Sequence, residues 1–362
     1  MKRILHIAAE NFAGVPYDFM QMHNQCGDYS RLITQYRSGL SFQEDICLDF
    51  PVPKSNLAKI WRRKKISDTS KPNIPNLKTS EFYFRPKNLL EQIYFQMSDL
   101  LRSGKIAKVI NDFALETFDI IHYDGGLDFF RDSRLAKEWK KRGKKIVCCY
   151  FGSDLRARGL IKEMNEISDL NITSEFDHLA LKSDIHYLFY PYNISELPAK
   201  RENNEKKIKI VHSPTNRMFK GTDLIIGVIE KIKKIRDIEF FLLEKMDRQR
   251  VLEIKSGSDI CIDQVGGKLG GTGYGKAGLE TLGMGIPTIT NMTDDYKNWF
   301  PENPFIVANN GDELFERLIE LIDSKDYRNK VGEESKKWVT KYHGYEAVNR
   351  NLHKLYSESG II

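Results

Sequence analysis

Residues 259–291 read DICIDQVGGKLGGTGYGKAGLETLGMGIPTITN. An apolar run, DICIDQ, gives way to a glycine-rich loop, a helix-like stretch opens near Lys276, and a second apolar run, IPTITN, follows. Two continuous apolar strands joined through a helix make a crossover unit of a parallel sheet that is covered on both faces. The same alternation extends on both sides. IKIVHS (208–213), IEFFLL (238–243) and PFIVAN (304–309) read as further strands, with helices at 222–235 and 311–324. Earlier in the chain RILHIA (3–8), RLITQ (31–35), FDIIHY (118–123), KKIVCCY (144–150) and DLNIT (169–173) repeat the strand pattern, and 89–115 reads as a long helix. Between the two series lies SELPAKRENNEKK (195–207), with a proline, four Lys/Arg and little to bury, which reads as a linker. The fold class is therefore α/β, with two consecutive parallel-sheet units. A length of 362 residues agrees with two cores.

Composition narrows the function only broadly. Hydrophobic residues make up 41% and charged residues 29%, the balance of a soluble globular chain, and the net charge of +6 fits anionic partners without choosing among them. The five cysteines (Cys26, Cys47, Cys148, Cys149, Cys261) form no CxxC pair, so they read as reduced thiols of a cytoplasmic protein, not as a zinc site or disulfide frame. MKRILHIAAE is too short an apolar run for a signal peptide, and no run approaches a membrane span.

The glycine loop carries two overlapping spellings. Gly273, Gly275 and Gly278 spell the dinucleotide fingerprint, but that motif needs a strand running straight into its first glycine, and VGGKLGGT intervenes. Gly270, Gly275 and Lys276 spell most of a P-loop, but Ala277 stands where a magnesium-binding hydroxyl is required. What remains is the physics common to both. Small residues admit an anion to the backbone, and a helix start points free N–H groups at it. Lys276 in the first turn opposes the helix dipole unless an anion sits there; the bland reading is an ordinary glycine loop with a solvated lysine. A second anion-type element, VHSPTNRMFKGTD (211–223), places Arg217 and Lys220 after a strand end, where open α/β sheets bind ligands. Taken singly, each is more often a solvated loop cation.

In order along the chain, RMFKGTD (217–223), SDICIDQ (258–264) and TGYGKAGLETLGMGIPTIT (272–290) resemble the second domain of the retaining glycosyltransferases of the GT-B fold, family 4, the glycosyl transferases of group 1. The likeness spans most of 207–325. NFAGVP (11–16), YFGSDLR (150–156), FYPYNISEL (189–197) and the closing YHGYEAVNRNLHKLY (342–356) match the first half more loosely. The resemblance implies two Rossmann-like domains facing across a cleft. They are an acceptor-side domain at 1–195, a linker at 196–206, a donor-binding domain at 207–340 and a final helix at 341–362 returning to the first domain. It also implies a nucleotide-sugar donor. Arg217 and Lys220 match the diphosphate pair, and Gly273, Tyr274 and Gly275 the donor-facing turn that leads into Lys276. Glu280 matches the glutamate on the ribose hydroxyls, and Gly14 the glycine loop near the phosphates. Thr272 stands where the family has a glutamate on the donor sugar, and Phe151 where it has a histidine.

The activity so implied is transfer of a sugar, hexosyltransferase-like, to an acceptor hydroxyl of a glycan or lipid-linked glycan in polysaccharide biosynthesis. Arg217, Lys220 and the 273–276 turn would neutralise the departing diphosphate, so no metal or other cofactor is required. Asp154 is an acceptor-side candidate, and equally a structural cap of GSDLR. The stretch 54–71 carries seven Lys/Arg with Leu57, Ile60 and Trp61 interleaved, which fits peripheral contact with an anionic inner membrane face as well as a solvated loop. No nucleic-acid motif supports a nucleic-acid partner. Two alternatives stand beside transfer. One is a nucleotide-sugar epimerase or hydrolase using His122, Asp124 or His212; the other is a non-catalytic donor-binding homologue.

Overall fold

The computed structural model describes residues 1–39, 42–51, 83–84, 89–152, 154–266 and 273–362. They divide into two compact units, Met1–Tyr192 with Tyr345–Ile362, and Asn193–Gly344. The basic stretch 54–71 and Thr272 lie outside the described residues.

Among the described residues the first unit is built on seven parallel strands: β1 Arg3–Ala8, β2 Tyr29–Thr34, β3 Ile46–Cys47, β4 Ile120–Asp124, β5 Lys145–Tyr150, β6 Leu170–Thr173 and β7 Ile185–Tyr187. Their order is β3-β2-β1-β4-β5-β6-β7, with Ile4 facing Ser30 on one side and Ile120 on the other. Ile4 and Leu5 point to opposite faces of the sheet, yet both are fully buried, so both faces are covered, as the unbroken apolar runs require. One cover is the Val15–Gln25 helix, which starts from Gly14 in the left-handed region (φ 75°) with a proline in its first turn and buries Phe19, Met20, Met22 and His23. Another piece of this unit comes from the far end of the chain. The Tyr345–Glu358 helix buries Tyr345, Val348, Leu352 and Tyr356, a three-four spacing that makes one apolar stripe, and it packs on the Val15–Gln25 helix.

The second unit holds five parallel strands: β8 Ile208–His212, β9 Ile238–Leu242, β10 Ile260–Gln264, β11 Thr288–Thr290 and β12 Ile306–Val307, in the order β12-β11-β10-β8-β9. Ile210, Ile260, Ile262 and Ile289 meet Ile225, Ile229, Leu314 and Leu318 in its main core.

Several boundaries differ from the sequence reading for local reasons. The helix expected over 89–115 ends at Asp112, because Ala114 turns left-handed (φ 49°) and a 3-10 turn, Leu115–Thr117, follows. The strands expected at 286–291 and 304–309 shrink to three and two residues. The two-residue β3 and three-residue β7 were too short to leave a pattern. The Lys325–His343 helix also escaped the apolar count. It buries Val331, Gly332, Ser335, Trp338 and Val339, and Gly332 is seated against the Gly285 carbonyl, 2.2 Å from where a Cβ would stand. The 195–207 stretch adds no strand, and its Arg201 and Asn203 hydrogen-bond within the second unit to Ser256 and Asp259. None of the five cysteines is in a disulfide, and among the described residues no helix is long and apolar enough to cross a membrane.

Leu352 is fully buried on the terminal helix. Leu352→Ala is expected to lower the unfolding free energy by about 2–5 kcal/mol in a urea titration. A loss below about 0.5 kcal/mol, the level of a surface change, would show that this helix is not an integral part of the core.

Candidate functional site

In each sheet the strand order reverses beside the first strand, between β1 and β4 in one unit and between β8 and β10 in the other. Crevices outside the carboxyl ends of strands at such reversals are where open α/β sheets take ligands. The loops with Gly14, with Arg217 and Lys220, and with Gly273–Lys276 leave β1, β8 and β10, so they fall at these two places, whereas Asp154 follows β5, away from the reversal.

In the second unit β8 ends at His212, and the chain makes a single helical turn, Arg217–Lys220. Asn216 starts it by accepting from the N–H groups of Met218 and Phe219, and Gly221, left-handed at φ 64°, redirects the chain into the Thr222–Ile232 helix. This turn points its two cations differently. The Lys220 ammonium goes inward to Asp263 Oδ1 (2.8 Å) and Gln264 Oε1 (2.9 Å). Arg217 faces outward, gripping Glu244 through two bonds (2.8 and 2.7 Å) with Asp223 at 3.3 Å. Glu244, through hydrogen bonds and charge, raises the Arg217 pKa further.

Asp263 stands at the carboxyl end of β10 with its side chain wholly buried, and its second oxygen accepts from the Gly275 N–H at 2.8 Å. Burial alone would raise its pKa, but the Lys220 charge and hydrogen bond, helped by Gly275, hold it below the ordinary value. One carboxylate therefore clamps the lysine turn to the glycine turn. The glycines answer to this clamp. A Cβ at Gly275 would stand 2.9 Å from the Lys220 ammonium, one at Gly278 would stand 3.1 Å from Asp263, and one at Gly273 would enter the Tyr296 ring at 2.1 Å. Their small size is thus already required by the turn's own packing. Gln264 completes the clasp with a hydrogen bond to the Gly273 carbonyl.

The turn leads into the Lys276–Gly283 helix. The Tyr274 ring packs on Phe305 (4.6 Å between centroids) and Phe300 (5.5 Å), and its hydroxyl meets His343 Nε2 at 2.8 Å. Glu280 is buried on the helix, where Oε2 accepts from Lys255 (2.7 Å) and Oε1 from Arg248 (3.0 Å). Lys255 is itself buried and also donates to the Ala277 carbonyl at 3.1 Å. Burial would raise the Glu280 pKa, but Lys255 and then Arg248 bring it below the usual range.

In the first unit Gly14 closes the loop after β1, braced by buried Asn11, whose side chain accepts from the Tyr17 N–H (3.3 Å) and donates to the Gln43 carbonyl (2.6 Å). The Asp154 carboxylate accepts from the backbone N–H groups of Phe151, Gly152 and Leu155 at 2.8–2.9 Å, the geometry of a structural cap. Phe151, the departure from the family histidine, lines a small cavity with His6, Phe19, His122, Asp124 and Cys149. Burial, then the Asp154 charge, drives the Asp124 pKa well up, opposed by Arg158. His122 is buried against Cys149 and the Tyr356 hydroxyl, and burial holds its pKa well down. His212 bonds the Ile262 carbonyl (2.8 Å) and Thr222 (2.9 Å), and burial lowers its pKa to about 4.

The structure brings Lys220, Gly273, Gly275 and the helix start at Lys276 together, places Glu280 on that helix over Lys255, and turns Arg217 away toward Glu244. Sequence reasoning missed the acidic and basic partners Asp263, Lys255, Arg248 and Glu244. Asp263 had a signal, a carboxylate ending an otherwise apolar strand. Lys255 had none, being one lysine among many on a polar helix.

No protein-family model matches the sequence, and no curated protein matches it. Solved structures do. A glycosyltransferase from Rickettsia africae ESF-5 superposes with a TM-score of 0.58 at 14% identity, covering 99% of this chain and 98% of that one. Anabaena HepE in complex with UDP gives 0.57 at 10% identity, covering 99% and 100%. The UDP-GlcNAc 2-epimerase from Neisseria meningitidis bound to UDP-GlcNAc gives 0.53 at 12%, covering 99% and 100%. The likeness defines a class of fold, paired Rossmann-like units with parallel sheets and a terminal helix. That fold is GT-B, the architecture expected from the sequence.

The two buried carboxyls of the site predict a pH signature. Asp263 and Glu280 both have depressed values, so their stabilisation is fully present above the unfolded-state values of about 3.9 and 4.3 and is lost as pH falls through the folded ones. Glu280→Gln removes one of these contributions and strands the buried Lys255 ammonium. At pH 7 it is expected to cost about 3–5 kcal/mol, and below about pH 4 the variant's unfolding midpoint changes less steeply than the wild type's. Parallel acid slopes in thermal scans would refute the assignment.

Proposed function

We propose that this chain is a glycosyltransferase that moves a sugar from a nucleoside-diphosphate sugar to an acceptor hydroxyl. The observation that carries the reading is the clamp of Lys220 and Gly275 on Asp263 at the strand-order reversal of the second unit. An ammonium has three N–H donors, and among the described residues Asp263 and Gln264 take two, which leaves one for a phosphate oxygen without dismantling the clamp. The start of the helix at Lys276 adds N–H groups beside it, while the Gly275 N–H stays on Asp263. These fixed donors suit charge that grows on a departing diphosphate, so the reading requires no metal for transfer. Arg217 joins them on release from Glu244, which holds it outside.

Glu280 fits the ribose. A carboxylate offers about four acceptor sites, and Lys255 and Arg248 use one on each oxygen, leaving one on each for a vicinal diol. The same two cations keep it ionised. Thr272 is assigned to the donor sugar, Gly14 to the phosphate side of the first unit, and Asp154 to the acceptor side through the loop shape its capping fixes. Three of the finer readings rest on the family resemblance: retention of configuration, a hexose as the sugar, and a glycan or lipid-linked acceptor of polysaccharide synthesis. So do cytoplasmic placement and membrane contact through 54–71. The solved neighbours support the nucleotide-sugar class, since HepE was captured with UDP and the epimerase with UDP-GlcNAc. An epimerase reading is weakened because His122 and His212 are both buried in structural hydrogen bonds.

Calorimetric titration of UDP-, GDP- and ADP-sugars tests the donor site, and nucleotide release on adding acceptor extract tests transfer. Lys220→Ala is expected to lower transfer by about 10²-fold, the cost of losing one preorganised donor to a developing anion, with no dependence on added magnesium. Binding of no nucleotide sugar would sink the donor site. Isomerisation of the bound sugar without acceptor would replace transfer by epimerisation.

A further inference from the structure

His23 lies in the last turn of the Val15–Gln25 helix and is completely buried, yet among the described residues neither of its ring nitrogens makes a hydrogen bond of ordinary geometry. A buried imidazole left so, among protein groups alone, is costly because its polar atoms have given up water without a replacement. Burial, with His6 and His353 nearby, keeps the ring neutral against the pull of the Asn349 amide beside it, which is the form that ligates metals. Two further donors face it. Asp28 Oδ1 accepts from the Lys2 N–H at 2.7 Å, which orients the carboxylate, and Oδ2 lies 3.2 Å from His353 Nε2 on the terminal helix. One ligand atom from each of His23, Asp28 and His353 lies within 4.8 Å of the others.

We propose that His23, Asp28 and His353 form a binding site for a divalent transition ion, with zinc the best fit, that fastens the terminal helix to the first helix of this unit. Two imidazoles and one carboxylate are the donor set of zinc and its neighbours, whereas magnesium and calcium take oxygen ligands. Around a tetrahedral ion with bonds of about 2.0–2.1 Å the ligand atoms stand about 3.3 Å apart. The Asp28–His353 pair, at 3.2 Å, is already at that spacing, and because all three atoms lie within 4.8 Å of one another the other pairs close by no more than about 1.5 Å. The backbone bond from Lys2 to Asp28 is the kind of outer support that metal ligands use. His353 is one-third exposed, so the ion has a way in, and a water completes the fourth position. None of these residues belongs to the donor site, so the proposal stands or falls apart from the transferase reading.

The test uses the full chain, stripped with a chelator and dialysed against zinc or cobalt. Expected are one zinc per chain, a rise in melting temperature on zinc addition, and the visible bands of four-coordinate cobalt, bleached by zinc. His353→Gln, at a partly exposed position, should weaken zinc binding by at least about tenfold and abolish the thermal rise while keeping the metal-free melting temperature. His353→Cys, which supplies another zinc ligand, should keep binding. Asp28→Asn gives the same reading as His353→Gln should that variant fail to fold. Absence of stoichiometric zinc, or zinc binding unchanged in His353→Gln and Asp28→Asn, would overturn the site and leave an Asp28–His353 hydrogen bond in its place.

Discussion

A carboxylate with no exposure to water cannot stand alone, and in this protein Asp263 is such a group at the end of the central strand of the second sheet. Its charge is kept by Lys220 from the loop before it in the sheet and by the Gly275 N–H from the loop after it. Two loops far apart in sequence are thereby held at one point. Everything next to that point follows from it. A side chain at Gly275 or Gly278 would crowd Lys220 or Asp263, and the helix begins beside the Gly275 N–H that Asp263 holds.

A second buried pair repeats the logic one layer away. Glu280 and Lys255 are both almost without solvent contact, and each makes the other's charge tolerable. Replaced together by apolar residues, such pairs often cost little, so their presence is better explained by what the retained charge does. Here the retained charge is an acceptor of fixed orientation on the helix that leaves the glycine turn. The cluster is therefore a set of fixed dipoles and ions, assembled by folding alone.

Much of the architecture was legible because parallel strands buried on both faces leave an unmistakable mark: ICID, KIVCCY and RILHIA carry apolar residues at adjacent positions, with no alternation to confuse them. The short edge strands left no mark, since two or three residues cannot establish a period. The Lys325–His343 helix was hidden because it is seated through Gly332 and Ser335, which a hydrophobic pattern does not count. At the site, the loops were marked by glycine spacing and charge, and Glu280 was singled out only through the family resemblance. Their partners were not, because which lysine of a polar helix turns inward is decided by tertiary packing. The glycines were read as room for a ligand, and the structure shows that Asp263, Lys220 and Tyr296 already claim that room.

The first unit takes its last helix from residues 345–358, after the whole of the second unit has been made. During synthesis the hollow that Leu352 and Tyr356 will fill stays open while some 150 further residues emerge, at about 5–20 residues per second. The second unit, continuous in sequence, can close at once. The order of assembly is thus reversed from the order of the chain: the half made later can finish first, and the half begun first waits for residues 345–358. A chain cut just before Tyr345 would lose a wall of its older half and keep the newer one whole.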